Sequence, residues 1–245
     1  MSRFHVRPEA VRGERVAFDA EEAHHLARVL RLGSGDLVAA LDGAGNELTV
    51  RLTRVGTRGA EGLVLSRRAL QTESALDLTL AQGIPKGDKM EGIIRMVTEL
   101  GVTRIVPLIT ERALVTPEAA SRRLTRWRRV AKEAAKQSGR AVIPDVTPPQ
   151  RPSDWLVSIV GPRFLLCLWE NERTPLDERL PAARPARAAV VVGPEGGLTE
   201  SEVARLGAAG AVVAGLGPRI LRTETAGPVA VALLQSRYGD LGTSG

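Results

Sequence analysis

Two stretches near the end of this sequence leave it very few folds. Ala188 to Leu198 reads AAVVVGPEGGL, and Ala211 to Ala226 reads AVVAGLGPRILRTETA. Each begins as a short Val-rich run, the pattern of a strand buried on both faces of a parallel sheet. Each then breaks into glycine and proline and opens a helix. Ligands of open α/β sheets sit at the carboxyl ends of strands. Two such loops side by side therefore make a pocket lined largely by backbone, suited to a small ligand with many polar edges. Neither loop carries the G-x-x-x-x-G-K-[ST] phosphate cradle, and no G-x-G-x-x-G follows a strand.

The rest of the chain divides near Gln71 to Ala75, a polar segment without periodicity. Residues 1–72 read as a small β-rich module and 73–245 as an α/β domain. In the first, Glu14 to Phe18 and Leu37 to Leu41 are strands, and Leu48, Val50 and Leu52 alternate with polar residues as a half-buried strand. Asp42 to Asn46 is a hairpin loop. Between them Asp19 and Glu22 resemble a capping box, followed by an apolar face at Ala23, Leu26, Ala27 and Leu30. In the second domain, strands at Leu76 to Ala81, Arg104 to Ile109, Arg163 to Leu168, Ala188 to Val192 and Ala211 to Leu216 alternate with helices. Asp88 with Glu91, Pro117, and Thr199 with Glu202 start helices. Gly101 and Gly139 stop them. Pro107 marks an edge or a bulge, and Pro228 falls near the first turn of the last helix, where it is tolerated. This order gives an α/β fold with a mostly parallel sheet, and periodicity alone suggests an unknotted one.

Composition narrows the function classes. Lys and Arg outnumber Asp and Glu by 34 to 28, a net charge of +6 that fits a polyanionic partner without requiring one. The single cysteine, Cys167, sits in an apolar run and reads as a buried structural thiol. The three histidines lack metal-ligand spacing, so no metal is expected. No apolar run is long enough to span a membrane and MSRFHVRPEA has no signal-peptide core, so a cytoplasmic protein is expected.

VGPEGG at 192–197, with LG-x-RILRTETA beginning at Leu216, resembles the RsmE family of small-subunit ribosomal RNA methyltransferases, within the SPOUT superfamily. Lys86-Gly-Asp-Lys89, Thr98-Glu-Leu-Gly-Val102, Thr110-Glu-Arg112, Glu133 to Arg140 and His25 to Arg31 resemble further blocks of that family, in order along the chain. The resemblance implies a PUA-like barrel followed by a SPOUT domain with a deep C-terminal trefoil knot. It implies S-adenosylmethionine as cofactor, N3 of a uridine in 16S rRNA of the small subunit as acceptor, and a homodimer. Lys136 departs from the family pattern, which commonly has an acidic residue there, and Gly227-Pro228 is a less usual continuation of the last motif.

By that resemblance, the cofactor lies against Leu168, Val192, Gly193, Pro194, Gly196, Leu216, Gly217, Ile220, Leu221 and Arg222. The candidates for catalysis are Arg222, Glu224 and Glu195. Arg222 and Arg219 bring positive charge for oxygens that become anionic. Each carboxylate reads first as a helix cap or an arginine partner and second as a base. The RNA candidates are Arg3, Arg7, Arg28, Arg31, Lys86, Lys89, Arg112 and Arg140. A basic helix face, from Arg122 to Lys136, reads as a solvated surface or a phosphate-contacting one, and Trp127 on the same helix as a packing anchor. Two rivals stand beside this reading: a non-catalytic RNA-binding or ribosome-assembly factor, and a SPOUT enzyme acting at another RNA position. The Leu221 to Ala226 segment lacks the Ser-Leu-Asn-Val-Ser type of ending usual in ribose methyltransferases.

Overall fold

The computed structural model describes residues 3–161 and 163–242. The chain forms two compact units, one of residues 1–73 with 135–143, the other of 74–134 with 144–245.

The first unit is built on a six-stranded sheet. Its strands are β1 (Arg3–His5), β2 (Val11–Arg12), β3 (Arg15–Phe18), β4 (Leu37–Leu41), β5 (Asn46–Gly56) and β6 (Gly59–Ala69), in the spatial order β1-β4-β5-β6-β3-β2. All neighbours pair antiparallel except β1 with β4. Alternation along β5 sends Leu48, Val50 and Leu52 into a core shared with Phe4, Phe18, Leu26 and Val38. Asp42 sets the β4–β5 turn by accepting the N–H groups of Ala44 and Asn46. The helix α1 (Ala20–His24) is capped by Asp19, which accepts the Glu22 N–H. Glu22 also has a partner far along the chain. Its carboxylate is 1% exposed and pairs with Lys136 at 3.1 Å. The helix α1 does not continue as a regular helix to Leu30, because residues His25–Val29 widen into a π-type turn.

Parallel pairing throughout defines the sheet of the second unit. Its strands are β7 (Asp77–Gly83), β8 (Arg104–Leu108), β9 (Asp145–Val146), β10 (Phe164–Leu168), β11 (Arg187–Val192) and β12 (Val212–Ala214), in the order β12-β10-β11-β7-β8-β9. Its helices are α2 (Lys89–Glu99), α3 (Pro117–Ser138), whose residues from 135 on belong to the first unit, α4 (Pro152–Ser158), α5 (Leu176–Arg179), α6 (Glu200–Ala208) and α7 (Thr223–Tyr238). Parallel strands need crossovers, and the helices that make them cover both sheet faces, which is why the strands are continuously apolar. Ala189 and Val191 join Trp155, Val203 and Leu206 on one face. From the β12 edge the chain turns back, Gly215 N–H bonding Thr174 O on the way, and α7 packs against α2, β7 and β11.

Several local expectations change. The Thr199–Glu202 capping box forms as expected, but Asp88 makes no side-chain cap. Pro107 lies past the two-residue pairing with β9, so the hydrogen bond it cannot donate is not needed there. Pro228 is not near the first turn. It is the sixth residue of α7, and so removes the helical partner of the Glu224 carbonyl. Trp127 is 1% exposed, a packing anchor as expected.

Cys167 is fully buried on β10. Burial first, then the charges of Glu170 and Glu202, push its thiol up to about 12. The raised value keeps it protonated at all working pH. A thiol reagent at pH 8 is therefore expected to leave the folded protein unlabelled and to titrate one thiol after unfolding in guanidinium. Rapid labelling of the native protein would show the site to be open.

Candidate functional site

The carboxyl ends of β10, β11 and β12 stand side by side and open into a cavity of about 440 Å³, within the range of small-molecule sites. Leu168, Val192 and Ala214 end these strands, and each lines the cavity. One wall is the Gly193–Gly197 loop, another the run from Gly215 to Glu224, and a third the Trp169–Arg173 segment after β10.

Short-range geometry explains the glycines. A Cβ on Gly193 would lie 2.7 Å from the Gly197 carbonyl carbon and 2.9 Å from the Leu198 nitrogen. The loop can fold back on itself only with hydrogen at that position. Gly217 has φ +97°, a conformation that strains other residues, and a Cβ there would meet nothing within 4 Å.

A buried clamp fixes the loop from beneath. The Thr223 hydroxyl donates to Gly193 O at 2.6 Å. Gln82, fully buried at the end of β7, donates from Nε2 to Thr223 Oγ1 at 2.8 Å and to Gly193 O at 3.4 Å. From outside, Arg112 Nη1 donates to Gly196 O at 2.7 Å.

The charged rim is organised around Lys89. Its ammonium is 2.9 Å from Glu195 Oε1 and 3.6 Å from Glu224 Oε2. The hydrogen bond that Lys89 donates to Glu195 raises its ammonium above its ordinary value. Burial works to raise the Glu195 carboxyl, but the Lys89 hydrogen bond and backbone N–H donors, that of Lys86 among them, outweigh it and hold the group below its usual range. Glu195 is thus a weakly basic carboxylate. Glu224 Oε2 is buried and accepts no hydrogen bond among the described residues. Arg222, with its side chain 83% exposed, lies 4.0 Å from Glu224 Oε1.

All ten residues expected to meet the cofactor line this cavity, as do Glu195, Arg222 and Glu224. Sequence reasoning named Leu168 but missed Trp169, Glu170, Glu172 and Arg173 beside it. The signal was available, since polar residues follow the apolar run of β10 as they follow the other two strands. Gln82 and Thr223 were missed because nothing in one sequence pairs residues so far apart.

The RNA candidates separate. Arg140 is corrected: it is 4% exposed and its guanidinium bonds Glu73 at 2.5 Å, so it serves the interior of its unit. Lys89 belongs to the cavity rim and Arg112 to the clamp on Gly196. Arg3 pairs with Glu47 at 3.2 Å. Arg7, Arg28, Arg31 and Lys86 have exposed side chains, for which no ion pair occurs among the described residues. Along α3, Arg126 pairs with Glu91, while Arg123 and Arg128 bond the backbone at Gly87 and Val146. Much of that basic face is therefore occupied, leaving Arg122 and Arg129 to solvent.

Comparison with known proteins agrees with this architecture. The sequence matches the family described as RNA methyltransferase domain over residues 59–235, and RNA methyltransferase PUA domain over 18–65. It is 37% identical over 234 residues to the ribosomal RNA small subunit methyltransferase E of Synechocystis, covering 94% of this chain and 76% of that protein. The crystal structure of the Neisseria gonorrhoeae protein of the same name, bound to S-adenosyl methionine, superposes with a TM-score of 0.86 at 36% identity, covering 98% and 99% of the two chains. A Legionella pneumophila protein in complex with SAM superposes with a TM-score of 0.87 at 31% identity, covering 98% of both.

Proposed function

The chain belongs to the ribosomal RNA small subunit methyltransferase E family, and from that premise we propose that it methylates N3 of a uridine in 16S rRNA, using S-adenosylmethionine. The carrying observation is the three-loop cavity at the strand ends, to which the two glycine-rich loops contribute Gly193, Gly196, Gly197, Gly215 and Gly217. The residues suit the cofactor. Gly217 leaves open space where a Cβ would stand, and Glu224 Oε2, buried 3.6 Å from the Lys89 ammonium, accepts no hydrogen bond among the described residues. On this reading backbone groups of Val192, Gly193, Gly196, Leu216, Gly217 and Leu221 hold the adenosyl group. Leu168, Pro194 and Ile220 bound it.

S-adenosylmethionine supplies an electrophilic methyl group on a sulfonium. The protein's task is to hold the acceptor in line with it and exclude water. Uracil N3 is a weak acid between two carbonyls, and charge spreads to O2 and O4 as its proton leaves. Arg222 answers that charge as a donor, with Arg219 beside it on the same loop. Glu195 is assigned to holding Lys86 and Lys89 at the rim rather than to taking the proton, because its basicity is lowered. Glu224, at the start of α7, is the remaining carboxylate of the three candidates. N3 is hydrogen-bonded in any Watson–Crick pair, so the target uridine is unpaired or extruded. The homodimer that the family resemblance implies belongs to this reading, and it would cover exposed apolar side chains such as Met96 on α2 and Leu233 on α7, 38% and 44% exposed. The substrate places the protein in the cytoplasm.

The test is transfer of labelled methyl to small subunits lacking the modification, followed by nucleoside mass spectrometry. Label in 3-methyluridine is expected. Label in another nucleoside would keep the methyltransferase and refute the acceptor. Arg222→Ala is expected to lower kcat by about 100-fold or more, the scale of a lost charge-stabilising donor, with cofactor Kd within about threefold. Unchanged kcat would remove Arg222 from catalysis.

A further inference from the structure

A second cavity, of about 380 Å³, opens where the chain leaves β8 and meets α4 and α6. It is tied to the cofactor loop. Glu111 in its wall accepts the Thr199 hydroxyl at 3.0 Å, and the next residue, Arg112, holds Gly196 O. Thr110 also lines it, 4% exposed, and the Thr110 hydroxyl is buried without a hydrogen-bond partner among the described residues. A buried hydroxyl left unpaired is costly and calls for a partner from outside the fold.

The charges of the wall are nearly all spent. Glu111 and Arg205 pair with one another. Glu202 is 2% exposed, and its oxygens accept the N–H groups of Glu111 and Thr199. Arg151, exposed at the start of α4, has no hydrogen bond or ion pair to its side chain among the described residues. Apolar side chains of Ile109, Leu156 and Leu206 complete the wall. An occupant must therefore bring one negative charge, an apolar face and a polar edge. A nucleotide within an RNA strand has all three. Its phosphodiester carries the single charge that one guanidinium matches, whereas a free mononucleotide carries nearly two at neutral pH.

We propose that this cavity receives one nucleotide of a single-stranded RNA segment, with its phosphodiester on Arg151, its base against Ile109, Leu156 and Leu206, and its edge on the Thr110 hydroxyl. This rests on the ribosomal RNA reading above and adds to it a nucleotide subsite separate from the one that takes the methyl group. A hydroxyl both donates and accepts, so the subsite holds a nucleotide without dictating which base it carries.

The experiment measures binding of the full chain to unmethylated small-subunit ribosomal RNA between about 50 and 200 mM salt, with Tm, cofactor Kd and methyl transfer followed alongside. Arg151→Ala is expected to bind about five- to tenfold more weakly, with a salt slope lower by about one. Ser153→Trp, placed at the rim, should obstruct the cavity and weaken binding to a similar extent. Thr110→Val should bind about threefold more weakly while its Tm holds or rises, because an unpaired buried hydroxyl gives way to a methyl group. Cofactor Kd should not move in any of the three. Unaltered RNA binding by either Arg151→Ala or Ser153→Trp overturns the proposal, and so does a lower Tm with unaltered binding in Thr110→Val. Uridine 5′-monophosphate at millimolar concentration should not displace the RNA. Binding of that mononucleotide to the unaltered protein but not to Arg151→Ala would give the cavity to a free nucleotide and overturn the strand. If the unaltered protein methylates the RNA and the variants bind it equally well, this inference alone fails. If the unaltered protein neither binds nor methylates it, the ribosomal RNA reading fails with it.

Discussion

Gly193→Ala is expected to lose at least ~100-fold in affinity for S-adenosylmethionine, about 2.8 kcal/mol, and to transfer methyl at background. The added methyl would stand 2.7 and 2.9 Å from backbone atoms of Gly197 and Leu198, contacts no real Cβ tolerates. Gly193 cannot retreat, because Thr223 and Gln82 hold its carbonyl. The loop must open instead, and it forms one wall of the cavity. Gly217→Ala makes the control. It adds left-handed strain of about 1 kcal/mol or somewhat more but no collision, so its loss should be smaller. Titration calorimetry with the cofactor separates the two. Affinity within threefold of the unaltered protein for Gly193→Ala would mean that the loop is not the cofactor wall.

Lys136→Met should unfold much of the first unit at temperatures the unaltered protein survives. Lys136 Nζ lies 3.1 Å from Glu22 Oε2 and 5.7 Å from the centre of the Phe4 ring, and the two charged side chains are 9% and 1% exposed. Removing the ammonium leaves a carboxylate in the interior, a loss of about 3–5 kcal/mol. For a unit of this size that corresponds to a drop in Tm of more than ~10 °C. Tryptophan fluorescence will not report it, since Trp127, Trp155 and Trp169 all belong to the second unit. Hydrogen exchange on β4, β5 and β6 will. Adding Glu22→Gln should recover much of the loss, because a neutral pair no longer buries an uncompensated charge. Full stability in the single variant would show that the pair contributes nothing. The lysine that departs from the family pattern thus has a local reason, the acid it faces.

Sequence showed most of the strands of the second unit and two of its three cavity loops, because Val-rich runs ending in glycine announce both a buried strand and a ligand edge. It also showed the Thr199–Glu202 cap, a short-range pattern. The π-type turn was invisible. Ala23, Leu26 and Leu30 fit a regular helix equally well, and only tertiary packing of Leu32 decides otherwise. The ion pairs were invisible for a similar reason. Lys136 in the basic helix and Arg140 just beyond its end look like surface bases, and their acidic partners lie 114 and 67 residues away. The same blindness hid Gln82, an ordinary polar residue at a strand end until its contacts with Gly193 and Thr223 are known.

The clamp beneath the glycine loop joins residues separated by 30, 111 and 141 positions. A pocket assembled from such distant pieces has no partial form. During synthesis it cannot exist until residue 223 and the helix it starts have left the ribosome, however early the β7 end has folded. Cofactor affinity is therefore a readout of completed folding in the second unit. Conversely, free cofactor at 100 times its dissociation constant should stabilise that unit by about 2.7 kcal/mol, making the methyl donor a folding aid before it is ever a reactant.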